Sequence, residues 1–220
     1  MRIFIDVLAL TRLAIIPVLL AMGVSPAAAH PHVWVEVKTA VLYDNGRLTG
    51  FRHAWTFDEA YTAMALEGLD KNGDGKYDRE ELAELAQINI DGLKEFDYFT
   101  YARLGDKALK LGAPTDYWLE HKDGILTLHY TLPLETPVLA SAHGFTFQVY
   151  DPSYYIAFDF SKENPVTLAA GAPSGCAADI SVPADQTAEA EKLGEAFFQQ
   201  FGGDVGMGLA QTVTLSCPAS

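Results

Sequence analysis

A two-residue alternation of apolar and polar positions begins at residue 32 and is the clearest pattern in the chain. Alternation of this kind is typical of a β-strand with one buried face, and here it continues to Tyr43. Asp44–Arg47 carries the Asn-Gly sequence of a type I′ turn, and apolar residues alternate again over 51–57. The sequence therefore predicts a hairpin of two long strands. The first of these opens with His32, Val33, Trp34, Val35, Glu36, Val37 and Lys38.

The predicted turn also indicates which residues face one another across the hairpin. If Asn45 and Gly46 are the two turn residues, opposed positions are equally distant from them, and partners share a face of the sheet. This register would bring His32 close to Asp58 and Glu59, and a bulge would alter it. The expected pairs are Lys38 with His53, Glu36 with Trp55, Trp34 with Phe57 and His32 with Glu59.

Helical spacing replaces the alternation after the hairpin. Thr56, followed three residues later by Glu59, is a capping-box signature for a helix start. Apolar residues then recur every four positions as far as Leu69, and a second helical pattern follows residue 81. We therefore expect a helix-loop-helix insertion over 57–96. Its apolar faces are Phe57, Tyr61, Ala65 and Leu69, and then Leu82, Leu85, Ala86, Leu93 and Phe96.

The remaining sequence predicts further strands and one late helix. The fold class that follows is α+β, with an antiparallel sheet domain over 30–168 that carries the insertion. A C-terminal segment over 169–220 would pack on the same domain, with an amphipathic helix at 185–201. The apolar stripe of that helix is Ala190, Leu193, Phe197 and Phe201, which is typical of a face that docks on a sheet. The strand segments lie near 97–103, 106–111, 116–122, 125–133, 145–150 and 154–160.

The loop between the two predicted helices, residues 70–81, matches a calcium-binding EF-hand loop at every ligand position. Calcium prefers six to eight oxygen ligands, and this spacing supplies side-chain oxygens around a turn made by Gly75. Lys76 would contribute its backbone carbonyl, and Glu81 both of its carboxylate oxygens. An acidic loop that merely turns is the alternative. The predicted calcium ligands are Asp70, Asn72, Asp74, Lys76, Asp78 and Glu81.

The N-terminus has the pattern of an export signal. An apolar stretch from Leu13 to Gly23 follows two arginines, and it is too short to span a bilayer, which takes roughly 20 residues. Ala27 and Ala29 occupy the small-residue positions of a signal-peptidase site. We therefore expect residues 1–29 to be cleaved, leaving a periplasmic protein with no membrane anchor; an uncleaved anchor is the alternative.

Cleavage after Ala29 would create a second metal-binding candidate. His30 would become the terminal residue, whose amine and ring nitrogen can chelate copper(II), nickel or zinc. Pro31 lacks an amide proton, so a site that uses deprotonated backbone amides cannot form. On the expected register, His32 and an acid from Asp58 or Glu59 would complete the site, although helix capping also explains the acids. His53, His121, His129 and His143 have no metal-ligand spacing, and packing or solvent exposure is the simpler interpretation of each.

Charge and cysteine content narrow the function further. The 220 residues contain 29 acidic and 15 basic side chains, and a net charge of −14 argues against nucleic-acid binding. Cys176 and Cys217 are the two cysteines, and an exported protein would pair them as a disulfide. No hydrolase elbow, phosphate-binding loop or zincin helix is present, so we assign no catalytic residue and expect no enzyme.

The chain resembles a bacterial domain family of unknown function that is labelled as a periplasmic component of an ABC-type transport system. The stretches that carry the resemblance are His30–Trp34, Trp55–Glu59, the loop 70–81 and Tyr150–Tyr155. The resemblance extends over most of the mature chain. The resemblance implies a periplasmic accessory of transport, associated with transition-metal permeases or efflux proteins, and no catalytic residue.

Together these features predict a periplasmic accessory protein of transition-metal transport or homeostasis. It would bind copper, nickel, cobalt or zinc at its N-terminal histidines and hold a structural calcium ion. Its partners would be the metal ion and a membrane permease or efflux protein. Two alternatives remain: a calcium-stabilised protein-interaction module without a transition metal, and a copper oxidase-type enzyme with a histidine brace.

Overall fold

The structure is a computed structural model that describes residues 31–183 and 205–218. The expected signal segment 1–29, the proposed ligand His30 and the expected helix 185–201 lie outside the described residues. No helix within the described ranges is long and apolar enough to cross a membrane.

Among the described residues, far more lie in β-strands than in helices. In chain order the strands are β1 (Val33–Asp44), β2 (Arg47–Phe57), β3 (Thr100–Leu104), β4 (Lys107–Leu109), β5 (Thr115–Lys122), β6 (Ile125–Leu139), β7 (Phe145–Val149), β8 (Ile156–Phe160), β9 (Val166–Leu168), β10 (Ala177–Ser181) and β11 (Thr212–Ser216). The helices are α1 (Glu59–Ala65), α2 (Ala83–Leu93) and α3 (Val205–Leu209), with a 3₁₀ segment at Lys94–Phe99.

The strands form two sheets, so the expectation of one antiparallel sheet is wrong. Among the described residues the first sheet has the order β5-β6-β2-β1-β8, with β9 also beside β1, and the second has the order β10-β11-β7-β3-β4. Strands β8 and β9 run parallel to β1. The chain reaches β8 from β7, which lies in the second sheet, so no hairpin imposes an antiparallel direction.

The hydrophobic core lies between the two sheets. Phe51 of β2 contacts Phe147 of β7, with ring centroids 4.7 Å apart. The even alternation along β1 and β6 places one face of each strand in this core, as the sequence pattern predicts. Leu82, Ala86 and Ile90 join the same core from the start of α2 and along one face of it.

The β1–β2 hairpin contains a bulge that overturns the expected register. Asp44 pairs with Arg47 and Tyr43 with Leu48, but Leu42 pairs with Gly50, so Thr49 is an extra residue. A Cβ added at Gly50 would lie 2.4 Å from the carbonyl oxygen of Leu132, so only glycine fits beside β6 at this point. Beyond the bulge every pair is displaced by one residue. The observed pairs include Lys38 with Ala54, Glu36 with Thr56, Thr39 with His53 and Val37 with Trp55.

The predicted EF-hand helix-loop-helix is not formed, which corrects the expected insertion at 57–96. Helix α1 ends at Ala65, and Gly68 follows with a φ of +75°, a left-handed conformation that commonly ends helices. Helix α2 begins only at Ala83, and residues 79–82 before it form a turn. The acidic loop is therefore flanked by non-helical backbone on both sides.

The first helix also starts later than its capping-box signature predicts. Thr56 still belongs to β2, where its hydroxyl lies 3.1 Å from that of Thr127. Asp58 is the N-cap instead, and its Oδ1 accepts a hydrogen bond from the Tyr61 amide at 2.8 Å.

Cys176 and Cys217 form a disulfide, as the sequence predicts. They flank the β10–β11 ladder, whose outermost pair on that side is Ala177 with Ser216. The bond therefore closes the edge pair of the second sheet.

Candidate metal centre

The loop 70–81 is ordered by hydrogen bonds from its own backbone to its acidic side chains. The Asp70 Oδ1 accepts from the amides of Gly73 at 2.7 Å and Asp74 at 3.2 Å, and its Oδ2 accepts from Gly75 at 2.9 Å. Asn72 accepts from the Asp74 amide at 2.8 Å. The first half of the loop therefore wraps around the Asp70 carboxylate.

Glu81 connects the two ends of this loop. Its Oε1 accepts from the Lys71 amide at 3.1 Å and its Oε2 from the Asp78 amide at 3.3 Å. The residue is 9% exposed, and the next residue, Leu82, anchors in the core at 1%. A carboxylate is thus held near the core at the position where an EF-hand loop has its bidentate ligand.

The loop offers the oxygen donors that a hard cation prefers, in the order along the chain that an EF-hand loop has. Asp70, Asn72, Asp74, Asp78 and Glu81 offer side-chain oxygens, and Gly75 has the φ of +75° that the sharp turn requires. However, no group of three or more His, Cys, Asp or Glu side chains in the described ranges is gathered closely enough to hold a metal ion. The loop therefore has the right ligands in sequence, and a cation would have to draw them together.

Two aromatic contacts fasten the second half of the loop to β5. Tyr77 packs edge-on against His121 with centroids 5.0 Å apart, and the Arg79 guanidinium carbon lies 4.9 Å from the centre of the Trp118 ring. Sequence analysis missed these contacts, because they join residues far apart in the chain at positions without a metal-ligand pattern.

The second candidate, at the N-terminal edge, is not assembled as a ligand set among the described residues. His32 is exposed; its amide donates to the Tyr155 carbonyl at 2.9 Å, and its ring lies 4.7 Å from that of Tyr155. Asp58 uses Oδ1 to cap α1 and Oδ2 to accept from the Trp34 amide at 2.8 Å. Glu59 is exposed in the first turn of α1. Asp58 thus performs the capping role that the sequence left open.

His121, His129 and His143 occupy three different environments. His129 stacks on Trp118 with centroids 4.6 Å apart, and its Nε2 lies 3.1 Å from a Glu120 oxygen. His121 contacts Tyr77, and His143 is exposed near the turn before β7.

His53 is fully buried between the two sheets. Its Nδ1 shares a hydrogen bond of 2.9 Å with the Thr39 hydroxyl, and its ring packs against Phe51, Trp55 and Tyr130. Burial lowers the pKa of His53 to about 3, because the apolar surroundings disfavour the charged imidazolium. The ring is therefore neutral at physiological pH and serves packing.

The segment Tyr150–Tyr155 is organised by a buried aspartate. The Asp151 Oδ1 accepts from both the amide and the hydroxyl of Ser153 at 2.8 Å, and its Oδ2 accepts from the Ile156 amide at 3.0 Å. These bonds shape the turn that carries the chain from β7 to β8. Asp151 and Ser153 therefore serve to form this turn.

Comparison with known proteins identifies a family. A family described as "Protein of unknown function (DUF1007)" matches residues 15–217. The chain belongs to the DUF1007 family. Relatives of this chain include an "Uncharacterized protein" of Haemophilus influenzae, 28% identical over 142 residues, which covers 64% of this chain and 68% of the relative. An "Uncharacterized 15.5 kDa protein in trpE 3'region" of Spirochaeta aurantia is 35% identical over 105 residues, or 45% of this chain and 70% of the relative. The transport label is absent from the family description and from both names.

Proposed function

We propose that this protein is an exported, calcium-stabilised accessory protein of transition-metal transport or homeostasis. The observation that carries the calcium part is the loop 70–81, in which oxygen donors occupy all the ligand positions and Glu81 joins the two ends. The transition-metal part rests on the sequence His30-Pro31-His32 and on the exposure of His32.

Calcium would stabilise the loop by replacing repulsion among its carboxylates with coordination. Extracellular modules bind calcium at roughly 10⁻⁴–10⁻³ M, which suits a structural ion better than a signal. At a calcium concentration ten times the dissociation constant, binding to the folded state alone adds about 1.4 kcal/mol to the free energy of unfolding.

The test is thermal unfolding with and without millimolar calcium. We expect Tm to rise with calcium in the wild type and in Glu80→Gln, because the Glu80 side chain is exposed and is not a predicted ligand. Glu81→Gln and Asp70→Ala should lose the rise. An equal Tm with and without calcium in the wild type, together with no heat of binding, would overturn the calcium site.

The transition-metal proposal requires a free amine on His30. A terminal amine and imidazole form a chelate that suits copper, nickel and zinc, and cobalt is also compatible with nitrogen ligands. His32 would supply a further ring nitrogen from the start of β1. The accessory role in transport, with a permease or efflux protein as partner, is what the sequence resemblance in the His30–Trp34 and Trp55–Glu59 stretches implies, and the family description itself names no role.

Intact mass of the exported protein and metal titration test this proposal. We expect a mature chain that starts at His30 and binds copper, nickel or zinc, and much weaker binding when one residue precedes His30. His32→Ala should weaken binding as well. Unchanged affinity in the extended form would contradict chelation by the terminal amine.

An interaction module is the second candidate, and one surface favours it. Ile88, Phe96 and Tyr155 are 60%, 50% and 49% exposed and line one open groove of about 520 Å³ between α2 and the Tyr150–Tyr155 turn. Exposed apolar side chains grouped in this way are typical of binding surfaces. Copurification of a partner that depends on Ile88 and Phe96, without bound transition metal, would favour this function over the first.

A further inference from the structure

We propose that Tyr77 and Arg79 are positioning residues for the cation site of loop 70–81: they hold the second half of the loop against β5, so that less ordering remains when its ligands close on a cation. This inference rests on the calcium site proposed above. It adds two residues that no ligand pattern contains.

The position of these two residues in the loop gives the first argument. Tyr77 and Arg79 lie on either side of Asp78, a ligand of the second half of the loop, and Glu81 follows shortly after. In an EF-hand the exiting helix fixes this half. Here residues 79–82 form a turn and α2 begins only at Ala83. The contacts of Tyr77 and Arg79 with β5 therefore take the place of that helix.

The surface that receives them is itself fixed, which gives the second argument. Trp118 lies under the Arg79 guanidinium, and on the sheet it stacks almost parallel to His129, at an interplanar angle of 9°. His129 in turn is hydrogen-bonded to Glu120, and it pairs with Trp118 in the β5–β6 ladder. Tyr77 is partly buried and packs on the core. A rigid platform of this kind reduces the ordering that binding must otherwise supply.

The charge of Arg79 makes a direct substitution of Arg79 ambiguous. Removal of a positive charge near an acidic loop strengthens cation binding, whereas loss of positioning weakens it. Trp118→Ala removes the platform and leaves every charge in place. Trp34→Ala is the matched control, since Trp34 is exposed on β1, which lies three strands from β5 in the first sheet.

The experiment is calcium titration by calorimetry on the full chain, with unfolding measured in the absence of calcium. An exposed cation–π contact is worth roughly 0.5–1 kcal/mol, so Trp118→Ala should weaken calcium affinity about two- to fivefold. Trp118→Phe should recover part of the loss, and Trp34→Ala should bind like the wild type. The double variant Tyr77→Leu/Trp118→Ala should lose on the order of tenfold.

Hydrogen exchange supplies a readout that a merely structural role would not change. Calcium should increase protection of the amides of Thr115–Lys122 in the wild type and not in Trp118→Ala. If Trp118→Ala binds calcium as tightly as the wild type and shows the same calcium-dependent protection, the positioning role is overturned and the calcium site is left intact. If Trp118→Ala fails to fold, Tyr77→Leu against Tyr77→Phe decides by the same two measurements. A wild type that binds no calcium overturns the site and the positioning role together.

Discussion

The loop 70–81 and the buried face of β2 show two opposite ways of placing polar groups. In the loop, carboxylates pair with amides at most ten residues away, and most of the side chains remain exposed. On β2, His53 finds its partner in Thr39, fourteen residues away on another strand, and both are buried. Hydrogen bonds between near neighbours in the chain therefore organise the loop. The buried face of β2 is organised by contacts with other strands.

Because of this difference, the two regions should respond differently to cation binding and to substitution. A locally organised loop can rearrange around a cation at small cost, because few contacts outside it must move. A buried face of aromatic and polar rings cannot rearrange without opening a densely packed interior. We therefore expect substitutions in β2 to act on global stability and substitutions in the loop to act on cation binding.

The largest effect should come from Trp55→Ala. Trp55 is 1% exposed and packs against Tyr130 and Phe158, so truncation should cost about 3–5 kcal/mol in the free energy of unfolding. Denaturant unfolding measures it, and Trp34→Ala should stay within about 0.5 kcal/mol because Trp34 is 52% exposed. Similar losses in the two variants would remove the distinction between the buried and exposed faces of the hairpin.

A smaller effect should follow acidification, because His53 must stay neutral in the folded state. Its pKa is about 3 when folded and about 6.5 when unfolded, so between these values the unfolded chain binds one more proton. The His53 contribution to the free energy of unfolding should therefore fall by about 1.4 kcal/mol for each pH unit between about 6.5 and 3, and His53 should contribute no slope above about pH 6.5.

Unfolding of the wild type and of His53→Leu from pH 7 to 4.5 measures this contribution. Other groups titrate in both proteins, so the difference between the two slopes isolates His53. If stability depends on pH equally in the two proteins, or if the His53 ring titrates near pH 6 by NMR, the ring is accessible to water and not buried in the core.

Asp58→Ala should have the smallest effect of the three. The substitution removes a helix cap and the acceptor for the Trp34 amide, and a cost of about 1–2 kcal/mol is expected. Glu59→Ala should change stability by less than about 0.5 kcal/mol, and Asp58→Asn should retain part of the capping. Loss of bound zinc or copper in Asp58→Asn, with stability unchanged, would instead support a ligand role for Asp58.

The sequence predicted what depends on neighbours in the chain. Strand alternation located β1, β5, β7 and β8 to within two residues and β6 at its start, although β6 runs six residues further than expected. The loop 70–81 was visible because its ligand spacing is local. The disulfide was predictable because the chain offers one cysteine pair. These features need no knowledge of the tertiary arrangement.

What the sequence could not predict depends on contacts between distant segments. The bulge at Thr49 arises where β2 passes close to Leu132 of β6, and it turned the expected Lys38–His53 pair into a Thr39–His53 pair. The parallel pairing of β8 with β1 arises because the chain passes from β7 in the second sheet to β8 in the first. The end of α1 at Ala65 was missed because the helical spacing continued through Gly68 to Leu69.

The Cys176–Cys217 bond has a practical consequence for handling the protein. It joins positions on either side of residues 184–204, so a protease that cuts the chain once between Pro183 and Val205 leaves two pieces still covalently linked. A nicked sample would migrate as a single species on a denaturing gel without reductant and separate into two bands with it. Samples for metal titration should therefore be checked for nicked chains on a denaturing gel run with reductant.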